Sequence, residues 1–451
     1  MDTSSPLINT IIFYTRSGDD ALAVIRVIGP AKEMGLRVIR GIVDSKVHVE
    51  YVRDGDLIIL QRDFCLDLES YEQVLALARE LHKPVIFDLD DLLFELPEYH
   101  PDRLRFHFAD ALLPMLQAVM EVDLVTVSTP ALRDYLLPFN QNIAVIPNYL
   151  NDKLWSFKPP TLSDAGDDKV IIGYMGGPSH YPDLLLILPA LLRIVERYPQ
   201  KVEYQFWGIE PPDELAPYSK VDWHPPVSLY YADFVSYFLT QTADIMLAPL
   251  VDSLFNSCKS SIKYLEYGAV GSSGVYSRIR PYSDIILDGQ DGFLASSMEE
   301  WENCLAQLIE SRELRFEIAQ NAQQKIKQNW LLSQNAYSQY EIYASAVANY
   351  SPKTHSYPSF YEPLKSLSHQ VTEALQHKAH QIESLKDQLS SSSGAIESLT
   401  DQLAESDRRN LLLKKQVEER EEEVLSYVLS NSWRLTRPLR ALFRMLRRQG
   451  M

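Results

Sequence analysis

Three short stretches of this chain hold side chains whose types and spacing can do chemistry. In "VIFDLDDLLFELPEYHP" an apolar run ends in Asp88, Asp90 and Asp91, with Glu95 and His100 behind them. Such a cluster can hold a divalent cation, supply a phosphoryl-transfer nucleophile, or close a buried strand with an acid or base at its end. In "IIGYMGGPSHYPD" the Gly176-Gly177 pair lets backbone N–H groups approach a phosphate, and the helix that follows adds positive potential. In "KSSIKYLEYGAV" Lys259 and Lys263 stand four apart, on one face if the stretch is helical, and Ser260 and Ser261 can cap it. Glu266 follows one turn later, within reach of a ligand hydroxyl. Two lysines at a helix N-terminus suit a diphosphate. The plain alternatives are an ordinary Gly-Gly turn and a surface Lys–Glu pair worth a few tenths of a kcal/mol.

Alternating elements must position these groups. "NTIIFYT", "LRVI", "DLIILQR", "PVIFDLD", "DLVTVST" and "NIAVIPN" read as short buried strands, with "ALAVIRVIGPAKEMG" and "YEQVLALARELHK" as helices between them. Continuous apolar strands between helices predict a parallel sheet covered on both faces. A Pro-, Asp- and Ser-rich stretch then reads as a linker, and the pattern restarts with "KVIIGYMGG", "VEYQFWG", "ADIMLAPL" and "GVYS". The expected architecture is two tandem Rossmann-like, doubly wound α/β domains with a cleft between them. The expected boundaries are 1–150, a linker at 151–168, 169–332, and a closing helix at 333–352 that returns to the first domain. Strand ends face the cleft in such sheets, so Asp88 to Asp91 emerge there.

Beyond Pro352 the pattern changes. Leu375, Ile382, Leu385, Leu389, Ile396, Leu399 and Leu403 fit a and d positions of a heptad, and "IESLKDQL" recurs as "IESLTDQL" two heptads on. This predicts a coiled coil over 353–425 and a homo-oligomer through it; a solvated helix, weakened at Ser390–Gly394, is the alternative. The final stretch, 426–451, carries Arg434, Arg437, Arg440, Arg444, Arg447 and Arg448 among Trp433, Leu435, Leu439, Leu442, Phe443 and Leu446. A basic amphipathic tail suits an anionic membrane surface, or the protein's own acidic body.

Composition excludes some classes. The net charge of -18 argues against a general nucleic-acid binder. Cys65, Cys258 and Cys304 have no zinc or Cys-x-x-Cys spacing and fit a reducing compartment. The start has no basic region followed by a long apolar core, and no stretch has the length of a spanning helix. The expected location is the cytoplasm, with peripheral attachment to the inner face of the membrane through the tail. Without Gly-x-Gly-x-x-Gly, a nicotinamide cofactor is not favoured.

Together, "IIGYMGGPSHYPDLLLILPAL", "KSSIKYLEYGAVGSSGVYS", "DGQDGFLA", "FDLDDLLFELPEYHP" and "VTVSTPALRDYL" followed by "NIAVIPNYLNDKLW" resemble GT-B glycosyltransferases, similar to glycosyltransferase family 4 of the bacterial surface-polysaccharide type. The resemblance spans about Ile11 to Tyr350. It implies a sugar nucleotide in the second domain, with Gly176, Gly177 and Ser179 by the diphosphate, Lys259 and Lys263 neutralising it, Glu266 on the ribose, and His180 also among the donor-binding residues. It places "VDWHPPVSLYYADF" at the nucleobase. Asp90 falls where many members have a His, with Asp91 after it, so Asp90, Asp91 or His100 would face the acceptor as base. The sequence departs from the family at Cys258, eight residues before Glu266, where a first Glu is expected; Asp252 is a candidate substitute.

Three readings of the Asp cluster remain. A dehalogenase-type phosphatase needs Thr or Val where Leu92 stands. The metal-binding Asp-x-Asp of the GT-A architecture belongs to a fold with one nucleotide-binding domain. The third is a cleft wall in which Asp88 and Asp91 also cap the next turn or pair with Arg62. The expected function is a hexosyltransferase-like enzyme, metal-independent and retaining, that moves a sugar from a nucleoside diphosphate sugar to a hydroxyl of a glycan or lipid-linked glycan in polysaccharide biosynthesis. The alternative is a non-catalytic scaffold with a degenerate transferase domain.

Overall fold

The structure is a computed structural model that describes residues 8–160, 169–228, 230–351, 360–429, 436–438 and 440–441. Most of the tail, and part of the expected linker, lie outside the described residues, including Trp433, Arg434, Leu435, Leu439, Leu442, Phe443, Arg444, Leu446, Arg447 and Arg448.

The first sheet holds β1 (Thr10–Tyr14), β2 (Arg37–Arg40), β3 (Leu57–Gln61), β4 (Val85–Leu89), β5 (Leu124–Val127) and β6 (Ile143–Val145). All pairings are parallel, in the order β2-β1-β3-β4-β5-β6. Every residue of β3, β4 and β5 is buried, as continuous apolar strands covered on both faces must be. Helices α1 (Leu68–Glu80) and α2 (Leu112–Glu121) cover one face with Tyr71, Val74, Met115 and Val119.

The second sheet holds β7 (Val170–Met175), β8 (Val202–Trp207), β9 (Val221–His224), β10 (Ile245–Ala248), β11 (Ser273–Ser277) and β12 (Phe293–Ala295). Its order is β9-β8-β7-β10-β11-β12, again parallel throughout. The order reverses at β7, and ligands of such sheets sit beyond the strand ends at that switch point. Helices α3 (Tyr181–Arg197), α4 (Tyr231–Phe238), α5 (Leu254–Ser257), α6 (Ile262–Ala269), α7 (Met298–Glu310) and α8 (Arg312–Asn329) complete this half.

Contacts in both directions stitch the halves together. Helix α9 (Leu332–Ala348) packs Tyr343 into the core of the first sheet with Ile11, Phe13 and Ile59. Its Gln339 donates to the Arg26 carbonyl at 3.1 Å, inside a π-type turn, Val24–Ile28. In the other direction, Phe255 and Cys258 of the second half join the core cluster of β3, β4 and β5. A final helix, α10, runs from Tyr361 to Leu429. Its first turns lie on α1 and α2, where Tyr361 and Lys365 meet the buried Glu121 and His369 meets Glu72 at 3.0 Å. No described helix is long and apolar enough to cross a membrane.

Candidate functional site

The three aspartates of the first sheet have separate fates. Asp88, at the end of β4, is buried and fully bonded. Arg26 approaches it with Nη2 at 2.7 Å and Nε at 3.2 Å, Thr126 Oγ1 donates at 2.8 Å and Gln61 Nε2 at 3.3 Å. Burial works against the Arg26 charge, but Asp88 outweighs it and raises the Arg26 pKa. This corrects the expected partner of Asp88: Arg26, from the π-type turn, holds it, and Arg62 makes no hydrogen bond or ion pair with it among the described residues. Arg62 takes a left-handed backbone, φ 43, stacks over Phe108 at 5.6 Å, and leaves its buried Nε without a partner among the described residues. Left-handed backbone at a non-glycine residue costs about 1–3 kcal/mol and marks sites where structure holds it in place.

Asp90 has a buried Oδ1 with no partner among the described residues. Burial, then the neighbouring Asp91, pushes its carboxyl well above the usual range. Asp91 goes the other way: burial opposes its charge, but Lys259 and then Arg62 outweigh it and hold its pKa down. Lys259 Nζ reaches Asp91 Oδ1 at 3.5 Å across the cleft. His100 is buried beside them, with Nδ1 accepting the Asp102 N–H at 3.2 Å and its ring edge-on to Phe255 at 5.1 Å. Burial lowers its pKa. This geometry makes His100 a cap and a packing residue on the cleft floor.

The second wall begins where β7 ends. Gly176 packs closely: a Cβ there would lie 3.0 Å from Tyr174 and 3.1 Å from Lys263 Nζ. Gly177 faces open space, with nothing within 4 Å of a Cβ, so a side chain there would enter the cavity. Gly208, at φ +82, meets the Gly176 carbonyl so closely that a Cβ would sit 2.7 Å from it. Lys263 donates to the Met175 carbonyl and lies 5.3 Å from the Tyr174 ring centre. It makes no ion pair among the described residues, and burial lowers its pKa. Glu266 is buried, accepts Tyr231 Oη at 2.9 Å, and is raised by burial; Trp155 Nε1 in turn donates to Tyr231 Oη at 3.1 Å.

The two lysines do not share a helix face as the spacing predicts. Helix α6 starts at Ile262, so Lys259 stands in the turn before it and points to the first domain, while Lys263 points back to the glycine turn. Ser261 is the N-cap without a side-chain cap bond, and Ser260 Oγ instead accepts Asn148 Nδ2 at 2.9 Å. Cys258, where the resemblance in sequence would put a Glu, is fully buried in the first domain's core, and its carbonyl accepts Thr129 Oγ1 at 2.8 Å. Asp252 is exposed on the turn before α5 and lines no described cavity beside the glycine turn.

One dyad was not singled out from the sequence. His180, in the 3-10 turn Pro178–His180, meets Asp183 Oδ2 through Nδ1 at 2.9 Å. Asp183 Oδ1 accepts the Val251 N–H at 2.8 Å and Asn256 Nδ2 at 3.0 Å. Burial, then Lys263, drives the His180 pKa down to about 4, so the ring is neutral at pH 7. With Asp183 accepting from Nδ1–H, Nε2 carries the lone pair. In sequence Asp183 reads as a first-turn helix acid; only the fold brings Val251 and Asn256 to it.

A cavity of about 390 Å³ joins these pieces. One end is lined by Gly176, Gly177, His180, Lys263 and Glu266, and the other by Trp207, Pro225, Val227, Tyr230 and Phe234. His224 stacks on Trp207 with ring centres 5.6 Å apart. Ser179 and Lys259 do not line it. A polar, cationic end with glycines and an aromatic end match an anionic group joined to a flat ring. A cavity of about 630 Å³ behind α9 is lined by Asp123 and Glu341 and carries no cation. Among the described residues no group of three or more His, Cys, Asp or Glu gathers as a metal site would.

Two parallel Rossmann-like sheets closed by a crossing helix define the GT-B architecture, and solved structures agree on this fold. Anabaena HepE in complex with UDP-glucose matches with a TM-score of 0.52 at 15% identity, over 75% of this chain and 99% of that one. Sucrose-phosphate synthase from Thermosynechococcus elongatus matches at 0.54 and 13%, over 75% and 99%. A glycosyltransferase from Rickettsia africae matches at 0.51 and 12%, over 76% and 100%. At these identities the likeness is one of fold. No protein-family model matches the chain, and no curated protein matches it by sequence.

Proposed function

We propose that this protein is a glycosyltransferase that moves a sugar from a nucleoside diphosphate sugar to a hydroxyl of a glycan or lipid-linked glycan. The observation that carries this reading is the cavity at the end of β7, where Lys263, with no ion pair among the described residues, lies beside two glycines and Glu266 at the polar end, opposite an aromatic end. In this reading the diphosphate lies on the Gly176–Gly177 turn, Lys263 stabilises the charge of the leaving group, and Glu266 accepts from the ribose. The aromatic end takes the base. The acceptor oxygen forms the new bond to the anomeric carbon as the bond to the diphosphate oxygen breaks. The acceptor proton passes to a base on the cleft walls, for which Asp91 is the ionised candidate from the first domain and His180 Nε2 from the second. Lys259 neutralises the diphosphate after leaving Asp91. Family 4 kinship would imply retention, but the buried Cys258 removes the family's first Glu from the site.

HepE's complex with UDP-glucose makes uridine the first base to test. A panel of sugar nucleotides, read by thermal stability and by release of nucleoside diphosphate, tests the reading. Stabilisation by at least one member, lost on changing Lys263 to Met, is expected. The missing Glu also favours a second reading, a donor-binding scaffold without turnover, in which the panel stabilises the protein but no variant of Asp91 or His180 changes nucleotide release. Membrane attachment through the basic tail is a separate proposal; equal partition of full-length and Trp433–Met451-deleted protein into membranes would reject it.

A further inference from the structure

We propose that α10 forms a parallel, in-register, two-stranded coiled coil with a second copy of this chain, aligned by Asn410. The seam is longer than the run first visible in the sequence. With Leu375 at an a position, the heptad continues without a break through Ile382, Leu389, Ile396 and Leu403, and then through Asn410, Val417 and Val424. The d row holds Leu385, Leu399 and Leu413. All of this lies within one helix, about 75 Å from Leu375 to Val424 at 1.5 Å per residue. Every apolar residue of the seam is exposed, from 39% at Leu375 to 72% at Leu389. A helix of this length with core-type residues in a heptad stripe leaves a large apolar face in water unless another helix covers it.

The pattern says which helix. Four of the eight a positions, Ile382, Ile396, Val417 and Val424, are β-branched, and the apolar d positions Leu385, Leu399 and Leu413 are Leu, the combination that favours two parallel strands. A single Asn at an a position fixes register and strand number at some cost in stability. The d row is broken by Lys378, Ser392, Ser406 and Arg420. In a parallel, in-register pair each of these meets its own copy, Asn410 meets Asn410, and each apolar residue meets an apolar residue. In an antiparallel pair a faces d, so Asn410 and the polar d residues fall against Leu, Ile or Val in most registers. Arg420 already turns off the seam, with Nη1 2.8 Å from Glu423. Such a partner must have the same spacing of polar breaks, and a second copy has it by construction. This proposal does not rest on the glycosyltransferase reading, since it concerns only α10.

The test uses the full chain. Light scattering after size exclusion is expected to give twice the monomer mass, and the Ile382→Asp, Ile396→Asp double variant is expected to give the monomer with an unchanged melting temperature of the α/β body. Leu399→Cys, at a d position, is expected to cross-link into a dimer on mild oxidation. Wild type is the control, because Cys65, Cys258 and Cys304 are buried. Asn410→Leu is expected to add species larger than the dimer. A wild-type monomer, a trimer, or a dimer that survives the double Asp variant would overturn the proposal. So would a dimer in which Leu399→Cys fails to cross-link, which would point to an antiparallel pair.

Discussion

The two sheets end at the cleft in opposite chemistry, and they dispose of their charges differently. The first ends in carboxylates, and its most buried charge is neutralised inside its own domain: Asp88 is held by Arg26, Thr126 and Gln61. The second ends in a glycine turn backed by Lys263, which donates to a backbone carbonyl and makes no ion pair among the described residues. A buried cation satisfied by a carbonyl alone keeps its charge for a ligand, whereas a buried carboxylate gripped by guanidinium holds the fold together. Asp91 and Lys259 belong to neither class, because each is the other's partner across the cleft. In the proposed reading a donor diphosphate takes Lys259 from Asp91, so that donor binding is coupled to the first domain's acid.

The strongest way to break this comparison is to treat Asp88 as a site residue. Arg26→Met is expected to cost about 3–5 kcal/mol of stability, read by urea unfolding, because it strands a buried carboxylate. A cost below about 1 kcal/mol would remove the structural role. On the second wall, Lys263→Met is expected to weaken nucleoside diphosphate binding by roughly ten- to a hundredfold, the worth of a charge-assisted hydrogen bond, without lowering the melting temperature. Calorimetric titration and a melt on the same sample would check both halves. Asp91→Asn sharpens the contrast, since it frees Lys259. Diphosphate binding is expected to tighten a few-fold while sugar transfer falls, and the stability change is expected to stay within about 1 kcal/mol because the pair is partly exposed.

A pH dependence follows from His180. Its folded pKa of about 4 lies below the ordinary 6.5, so between those values the unfolded chain takes a proton that the folded chain refuses. That group's contribution to stability is present above pH 6.5 and is lost as the pH falls toward 4. His180→Gln is expected to flatten that part of the melting-temperature profile; an unchanged profile would mean that folding does not lower the His180 pKa. The smallest effect is expected at Asp252, where Ala should change stability by less than about 0.5 kcal/mol and leave binding unaltered, as for an exposed side chain with no partner among the described residues.

Much of the fold was legible because buried parallel strands are apolar without interruption, as in "LIILQ" and "VIFDL". Strand β9 was not: Val221–His224 is a short edge strand with alternating polar residues, and it stood out only as the start of the segment that the resemblance puts at the nucleobase. The Gly176–Gly177 turn, Lys263 and Glu266 stood out locally, since a turn and a helix start place them. What failed was pairing over distance. Arg26 lies in an ordinary helix pattern and meets Asp88 only through the π-type turn, while nearby Arg62 looked the natural partner. Asp183 gains its role from Val251 and Asn256, which the switch from β10 to α5 brings over the start of α3. Lys259 seemed to belong to a helix that begins three residues after it.

The central claim is that Lys263 is held ready for an anion at the end of β7. Titration of the full-length protein with a panel of nucleoside diphosphates, beginning with UDP, tests it most directly. The account predicts saturable binding of at least one member by the wild type, and a loss of roughly ten- to a hundredfold in Lys263→Met. No binding by any member, or equal binding by wild type and variant, would contradict it.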